Sequence, residues 1–299
     1  MLNKYIFYVV HSATLVTFVL QRNIGCITIF CNFLRFNNIM QNTQRPVVVS
    51  FSGHDPSGGA GVQADIETII SHNCHAASII TCLTEQDTKN VTRIVPQSPD
   101  NIIQQANTLL RDVPVHAFKI GLIGHVDTAR AIYDIVRHYP LIPIILDPIL
   151  AAGGGTDLAN DELLNAMCDL LLPLTTVLTP NCQEARRLTG LNTIESCGLK
   201  LLKSGCEYIL ITGADEATES VTNQLFYNDY QDSYTWARLP ARYHGSGCTL
   251  AASIAALFAH GIEPVQAIND AQEYTWHSLQ AAYQTGGGQA NPNRFFWRD

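Results

Sequence analysis

The residues best placed to do chemistry are His244-Gly245-Ser246-Gly247-Cys248-Thr249-Leu250, which run straight into the alanine-rich stretch 251–257. Two glycines ahead of a strong helix former leave consecutive backbone N–H groups uncovered at a helix start, where the helix dipole adds partial positive charge. Such a nest binds an anion. It also stabilises a phosphoryl group in flight, whose charge spreads over its equatorial oxygens. Cys248 falls in the first turn of the same helix. A thiol there has its thiolate favoured, with an expected pKa below the usual ~8.5 and within ~3.5–7.5. It would act as the base that takes a proton from an attacking hydroxyl. The alternative at this point is a small cysteine that packs the helix start.

A second glycine-rich turn is Phe51-Ser52-Gly53-His54-Asp55-Pro56-Ser57-Gly58-Gly59-Ala60-Gly61. A plain strand-to-helix loop needs one glycine, whereas this one has four, enough for a ligand to approach the backbone closely. Gly59 to Ala64 also fits G-x-G-x-x-A, with Glu85 downstream, which opens a dinucleotide-binding reading. The fit is poor, because the first glycine of that fingerprint should follow its strand directly. The sequence has no P-loop, since G-K-[ST] does not occur.

Both turns need strands behind them. From residue 46 onward, short apolar runs alternate with helical patterns. Strands are predicted at 47–51, 77–83, 117–123, 142–146, 176–178 and 208–212, with a hairpin at 224–228 and 233–237. Helices are predicted at 61–72, 99–111, 127–138, 161–172, 182–189, 195–203, 247–260 and 264–283. Continuous apolar runs suit strands buried on both faces. The alternation predicts a three-layer α/β/α fold with a mainly parallel central sheet, as one domain over 40–299. Ligands of such sheets bind beyond the carboxyl ends of the strands, where both glycine turns fall.

With 46% hydrophobic and 15% charged residues, the 299-residue chain has globular composition. A net charge of -8 argues against a nucleic-acid partner. The 9 cysteines are odd in number and scattered, without a C-x-x-C pair, which argues against disulfides or a zinc site and for reduced thiols in the cytoplasm. Residues 1–39 differ from the rest. No acidic residue precedes Asp55, and 5–20 is apolar but interrupted by His11, Ser12, Thr14 and Thr17. It is short for a membrane span, so no stable anchor is expected, and export is the lesser alternative. The expectation is that 1–39 is an upstream extension and that Met40 is the start.

The run Gly245–Leu250 resembles the anion-hole motif of ribokinase-like kinases. Most of that superfamily have aspartate at the last motif position. Cysteine there is similar to the hydroxymethylpyrimidine/phosphomethylpyrimidine kinases of thiamine biosynthesis. The run Gly53–Asp65 resembles that family's opening motif nearly residue for residue. Leu83–Thr88, Lys119–Leu122, Leu146–Pro148, Thr179–Ala185 and the glycine-then-aromatic tail 286–297 follow in family order, so the likeness covers 46–297.

The resemblance implies a homodimer that uses ATP and Mg²⁺. Gln86 would grip an aminopyrimidine, an amide being both donor and acceptor. Gly53, Ala60 and Asp65 would line the same pocket, with Leu122 and Ile149 as apolar walls. Gly245, Ser246, Gly247, Thr212 and Gly213 would meet the ATP phosphates. Asn181, Glu184 and Asp147 would serve the metal, largely through water. Asn181 also reads as a helix cap after Pro180. The family often has lysine near Ala152 and at Thr212, and serine or threonine at His54, so two basic phosphate contacts are expected to be missing. The neighbouring alternative is a pyridoxal kinase. Alternatives of other classes are a non-catalytic pyrimidine sensor and a nicotinamide-dependent oxidoreductase.

Overall fold

The computed structural model describes residues 45–298 and, ahead of them, the backbone of three strands: β1 (Phe7–Ser12), β2 (Leu15–Arg22) and β3 (Gly25–Ile29). The chain divides into two units, 1–45 and 46–299. In the first, β1, β2 and β3 form an antiparallel meander, so the described part of the apolar stretch read as a leader or anchor, 7–12 and 15–20, lies on strands. Met40 lies outside the described residues. Among the described residues no helix is long and apolar enough to cross a membrane.

The second unit is built on a nine-stranded sheet, in the order β12-β11-β10-β9-β8-β7-β4-β5-β6. Its strands are β4 (Val47–His54), β5 (His75–Gln86), β6 (Val91–Pro96), β7 (Ala117–Ile120), β8 (Ile144–Leu146), β9 (Val177–Leu178), β10 (Tyr208–Ile211), β11 (Ser220–Tyr227) and β12 (Tyr230–Ala237). The six strands from β10 to β5 are parallel, while β6, β11 and β12 pair antiparallel at the two edges.

Side chains of a strand alternate between faces, and here the alternation sorts them into two cores. Val47, Val49, Phe51, Ile144, Leu146, Leu178, Ile209 and Ile211 pack in one core. Val48, Ile145, Val177 and Leu210 pack in the other. The first layer holds α2 (Pro99–Leu110), α3 (Val126–Val136), α4 (Asp161–Ala166), α5 (Cys182–Thr189) and α6 (Ile194–Lys203). The second holds α1 (Gly61–Ser71), α7 (Ser246–Ala259) and α8 (Pro264–Gln280). Ala251, Ala252, Ala255 and Ala256 are fully buried, so small side chains bring α7 close against the sheet.

Two local readings change. The helix expected over 161–172 stops as α4, and the chain continues through a π turn (Met167–Leu171) and a 3₁₀ turn (Leu172–Leu174). Pro173 lacks the N–H that would continue the α ladder. Strand β6 was not foreseen. It is a short edge strand that ends on Pro96 and pairs only with β5.

Candidate active site

The carboxyl ends of the parallel strands open into one cleft of about 260 Å³. Gln86 comes from the end of β5, Leu122 follows β7, and Asp147 and Ile149 follow β8. Asn181 and Glu184 start α5 after β9, and Thr212 follows β10. Gly53 and Ala60 belong to the β4–α1 turn, and Gly245, Ser246, Gly247 and Cys248 open α7. A larger cleft of about 390 Å³, beside β6 and 156–163, contains none of the predicted residues.

The two glycine turns are fitted to each other. Gly245 is the N-cap of α7 in the left-handed region (φ 71), and a Cβ on it would collide with the Gly59 carbonyl. Gly61 is also left-handed (φ 59), and a Cβ there would collide with the Gly53 carbonyl. Only glycine accepts both the backbone angle and the contact. Gly247 differs, because a Cβ there would meet nothing closer than Asp147 Oδ2 at 3.5 Å. Its lack of a side chain is therefore a demand of the cleft and not of the fold. No side chain caps α7, so its leading N–H groups stay available to an anion.

Cys248 is placed as expected, but its ionisation is not. Only 5% of the residue is exposed, and burial pushes the thiol up to about 12 despite the pull of Lys119. The expected low-pKa thiolate is thus absent: loss of water outweighs the helix dipole and the nearby ammonium. The Asp147 carboxyl lies close enough for its charge to push the thiol up further. That carboxyl is pushed up to about 6 by burial, with Lys119 pulling it down and Asp65 pushing it up.

Asn181 and Glu184 form a reciprocal capping box. Asn181 Oδ1 accepts from Glu184 N–H at 2.8 Å, and Glu184 Oε2 accepts from Asn181 N–H at 2.9 Å. The cap reading of Asn181 therefore holds. Glu184 Oε1 also accepts from Leu150 N–H at 3.2 Å. Burial, and then the charge of Asp147, push Glu184 up to about 8. Asp147 Oδ2 is buried without a hydrogen-bond partner. Two neighbouring buried carboxyls, both disfavoured as anions and one with an orphaned oxygen, are the donor set a hard divalent cation satisfies. Cys182, Asp215 and Glu216 also lie together. Their carboxylates are already taken, Asp215 by the Cys182 and Gln183 N–H groups and Glu216 by Arg186.

Two predicted residues are elsewhere. Asp65 does not line the cleft. It is fully buried beneath it, accepting from Ser50 Oγ at 2.5 Å and facing Lys119 Nζ at 2.9 Å. Gly213 turns its N–H to Asn223 Oδ1 at 3.1 Å, and its Cα side packs against the Thr222 backbone, so it does not face the cleft either. Glu85, the acidic residue of the dinucleotide reading, pairs with Arg93 on the exposed side of β5. As expected from the missing lysines, no lysine or arginine lines the cleft among the described residues.

Sequence reasoning missed Lys119, Asp55 and His244. Lys119 interrupts an otherwise apolar strand, Ala117-Phe118-Lys119-Ile120, that is buried throughout. A lone charge in such a strand must have a buried partner. Burial pushes its ammonium down, and Asp65, together with Cys248 and Asp147, more than reverses this. His244 and Asp55 line the cleft, with His244 Nε2 2.7 Å from Asp55 Oδ2.

An anion nest and a buried acid pair in one cleft suit transfer of a phosphoryl group. Fold and cleft together define a small-molecule kinase. The phosphomethylpyrimidine kinase family matches residues 55–293. A hydroxymethylpyrimidine/phosphomethylpyrimidine kinase of Synechococcus elongatus is 34% identical over 260 residues, which is 84% of this chain and 98% of that protein. The ADP complex of Bacillus subtilis pyridoxal kinase aligns with TM-score 0.78 at 26% identity, over 85% of this chain and 99% of that one. A phosphomethylpyrimidine kinase of Clostridium difficile aligns with TM-score 0.69 at 27% identity, over 77% and 98% of the two chains. The chain belongs to the phosphomethylpyrimidine kinase family and is a phosphotransferase.

Proposed function

We propose that the chain transfers the γ-phosphoryl group of ATP to the hydroxymethyl group of 4-amino-5-hydroxymethyl-2-methylpyrimidine. It then phosphorylates the monophosphate to the diphosphate, in thiamine biosynthesis. The observation that carries this is the coexistence, in one cleft, of Gln86, the apolar Leu122 and Ile149, and the uncapped start of α7. The ring packs between the walls and bonds Gln86. Its hydroxymethyl group points to Cys248, and the phosphates lie on the N–H groups of Gly245, Ser246 and Gly247, with Thr212 beside them. Asp147 and Glu184, backed by Asn181, would hold Mg²⁺, and the ion would supply the charge neutralisation that a wall without lysine lacks.

Cys248 works as a relay and not as a standing thiolate. The substrate oxygen attacks the γ-phosphorus and the bond to the β-phosphate oxygen breaks. The hydroxyl proton passes to Cys248 Sγ as the thiol hydrogen passes to Asp147. In a loose transition state this proton leaves late, so a weak acceptor suffices. The second acceptor is an anionic phosphate and needs no relay. Cys248→Ala should therefore damage the first transfer far more than the second. The enzyme acts in the cytoplasm, where ATP is available, as a homodimer.

Pyridoxal is the competing acceptor, because the fold is also that of the Bacillus subtilis pyridoxal kinase. A coupled ADP-release assay with the pyrimidine alcohol, its monophosphate and pyridoxal separates the readings. ADP release with both pyrimidines supports the proposal. Release with pyridoxal alone, or pyrimidine binding without release, replaces it with the vitamin kinase or the sensor.

A further inference from the structure

Beside Gln86 lies a hydrogen-bond chain whose protons can be counted. Asp55 Oδ1 accepts from Ser57 N–H and Ser57 Oγ, both at 2.8 Å, and Oδ2 accepts from Ala60 N–H at 2.8 Å. Burial raises the Asp55 carboxyl, but the His244 and Ser57 bonds outweigh it and hold the group below its usual range. Asp55 is thus an acceptor only, and the hydrogen in its 2.7 Å contact with His244 sits on His244 Nε2.

That same Nε2 lies 2.8 Å from the Gln86 amide nitrogen. Two N–H groups cannot bond to each other. At the other end, Gln86 Oε1 is 3.1 Å from Thr84 Oγ1, whose single hydrogen already goes to the His54 carbonyl at 2.9 Å. Turning the carboxamide by half a revolution removes both clashes and leaves the one Nε2 hydrogen shared between two acceptors, since amide oxygen and nitrogen are told apart only by their partners. The His244 ring cannot yield instead. Its side chain is 13% exposed, a Cβ on Gly59 would strike it, and its backbone N–H is tied to the Ala290 carbonyl at 2.9 Å.

We propose that His244 is the specificity-determining positioning residue of the acceptor pocket. Its one Nε2 hydrogen, shared between Asp55 and Gln86, keeps the amide oxygen on the His244 side, and the Thr84 oxygen, left to accept, takes the amide N–H on the other side. The amide edge facing the cleft then offers an acceptor and a donor in one fixed order. A ring with an amino group next to a ring nitrogen matches that order. Its 4-oxo counterpart, with a carbonyl next to a ring N–H, has the order reversed and is rejected. The inference rests on Gln86 holding the pyrimidine, as proposed above.

The test is the ratio of kcat/KM for 4-amino-5-hydroxymethyl-2-methylpyrimidine to that for its 4-oxo analogue, each pair measured on one preparation. His244→Leu removes the donor and frees the amide to turn. The ratio falls by about tenfold or more, the scale of one neutral hydrogen bond, mainly through KM. His244→Asn, too short to reach Gln86, behaves in the same way and serves if the leucine variant fails to fold. His244→Gln, which restores a donor at the same reach, recovers most of the ratio. A merely structural role would lower both rates and leave the ratio alone. A ratio unchanged in the leucine and asparagine variants overturns the role of His244. Wild type that turns over neither pyrimidine overturns the proposed function itself, a different result from an active wild type with an insensitive ratio.

Discussion

Replacing Cys248 by serine separates the relay from a thiolate base. With the buried thiol at about 12, forming the thiolate at pH 7 spans about five pH units, or roughly 7 kcal/mol at ~1.4 kcal/mol each. General-base catalysis typically contributes ~10²–10⁴ in rate, about 3–5 kcal/mol, so a thiolate costs more than it returns. A relay avoids that cost, because sulfur gains one hydrogen as it gives another to the neighbouring Asp147, whose charge acts on it. A serine hydroxyl of similar size can do the same, although it is a far weaker acid than a thiol. In an ADP-release assay at saturating ATP, Cys248→Ser should keep the first transfer within roughly 10²-fold of wild type, while Cys248→Ala loses up to ~10⁴. Neither should lose more than about tenfold in the second transfer, where the acceptor is already an anion. Serine as inactive as alanine in the first transfer would refute the relay and restore the thiolate.

Gly245→Ala should cost about 2–4 kcal/mol in urea unfolding, because it forces a left-handed angle and a collision with Gly59. Gly247→Ala should unfold nearly as wild type yet lose both transfers, its methyl occupying the space in front of Asp147. Lys119→Met strands the buried carboxylate of Asp65 and should cost about 3–5 kcal/mol, much of it recovered in the double variant with Asp65→Leu. Glu184 and Asp147 are raised from 4.5 and 3.8 to about 8 and about 6, so the folded state binds the extra protons. Their contribution to stability is full below the unfolded values and is lost as pH rises through the folded ones. Without metal, the unfolding free energy should fall between pH 5 and pH 8, by at most about 1.4 kcal/mol per pH unit from Glu184, and Tm with it. Mg²⁺ should raise Tm more at pH 8 than at pH 5, and equal shifts at both would remove the ion from these carboxyls.

Most of the sheet was legible because β4, β7, β8 and β10 are apolar on both faces, a pattern that buried parallel strands alone require. β6 was not, because an edge strand needs only one buried face and its exposed Thr92 and Arg93 read as loop. In the site, Gly245 and Gly247 were read from type and spacing, whereas Gln86, Glu184 and Asp147 came only through the family resemblance; all five line the cleft. Asp65 was misplaced because its partner, Lys119, is distant in sequence and only the pairing of β4 with β7 places the two layers together. The raised pKa of Cys248 was not legible, since a motif gives the helix start but not the loss of water around it. His244 and Asp55 were quoted within their motifs but given no role, because only the folded β4–α1 turn sets one against the other.

The central claim is that one cleft carries out two successive phosphoryl transfers to an aminopyrimidine. Mass spectrometry of the products from the pyrimidine alcohol, ATP and Mg²⁺ tests it most directly. The account predicts a monophosphate that rises and then falls as the diphosphate accumulates, with two ADP released for each diphosphate. A monophosphate that never converts, or unreacted alcohol in a reaction that phosphorylates pyridoxal, would contradict it.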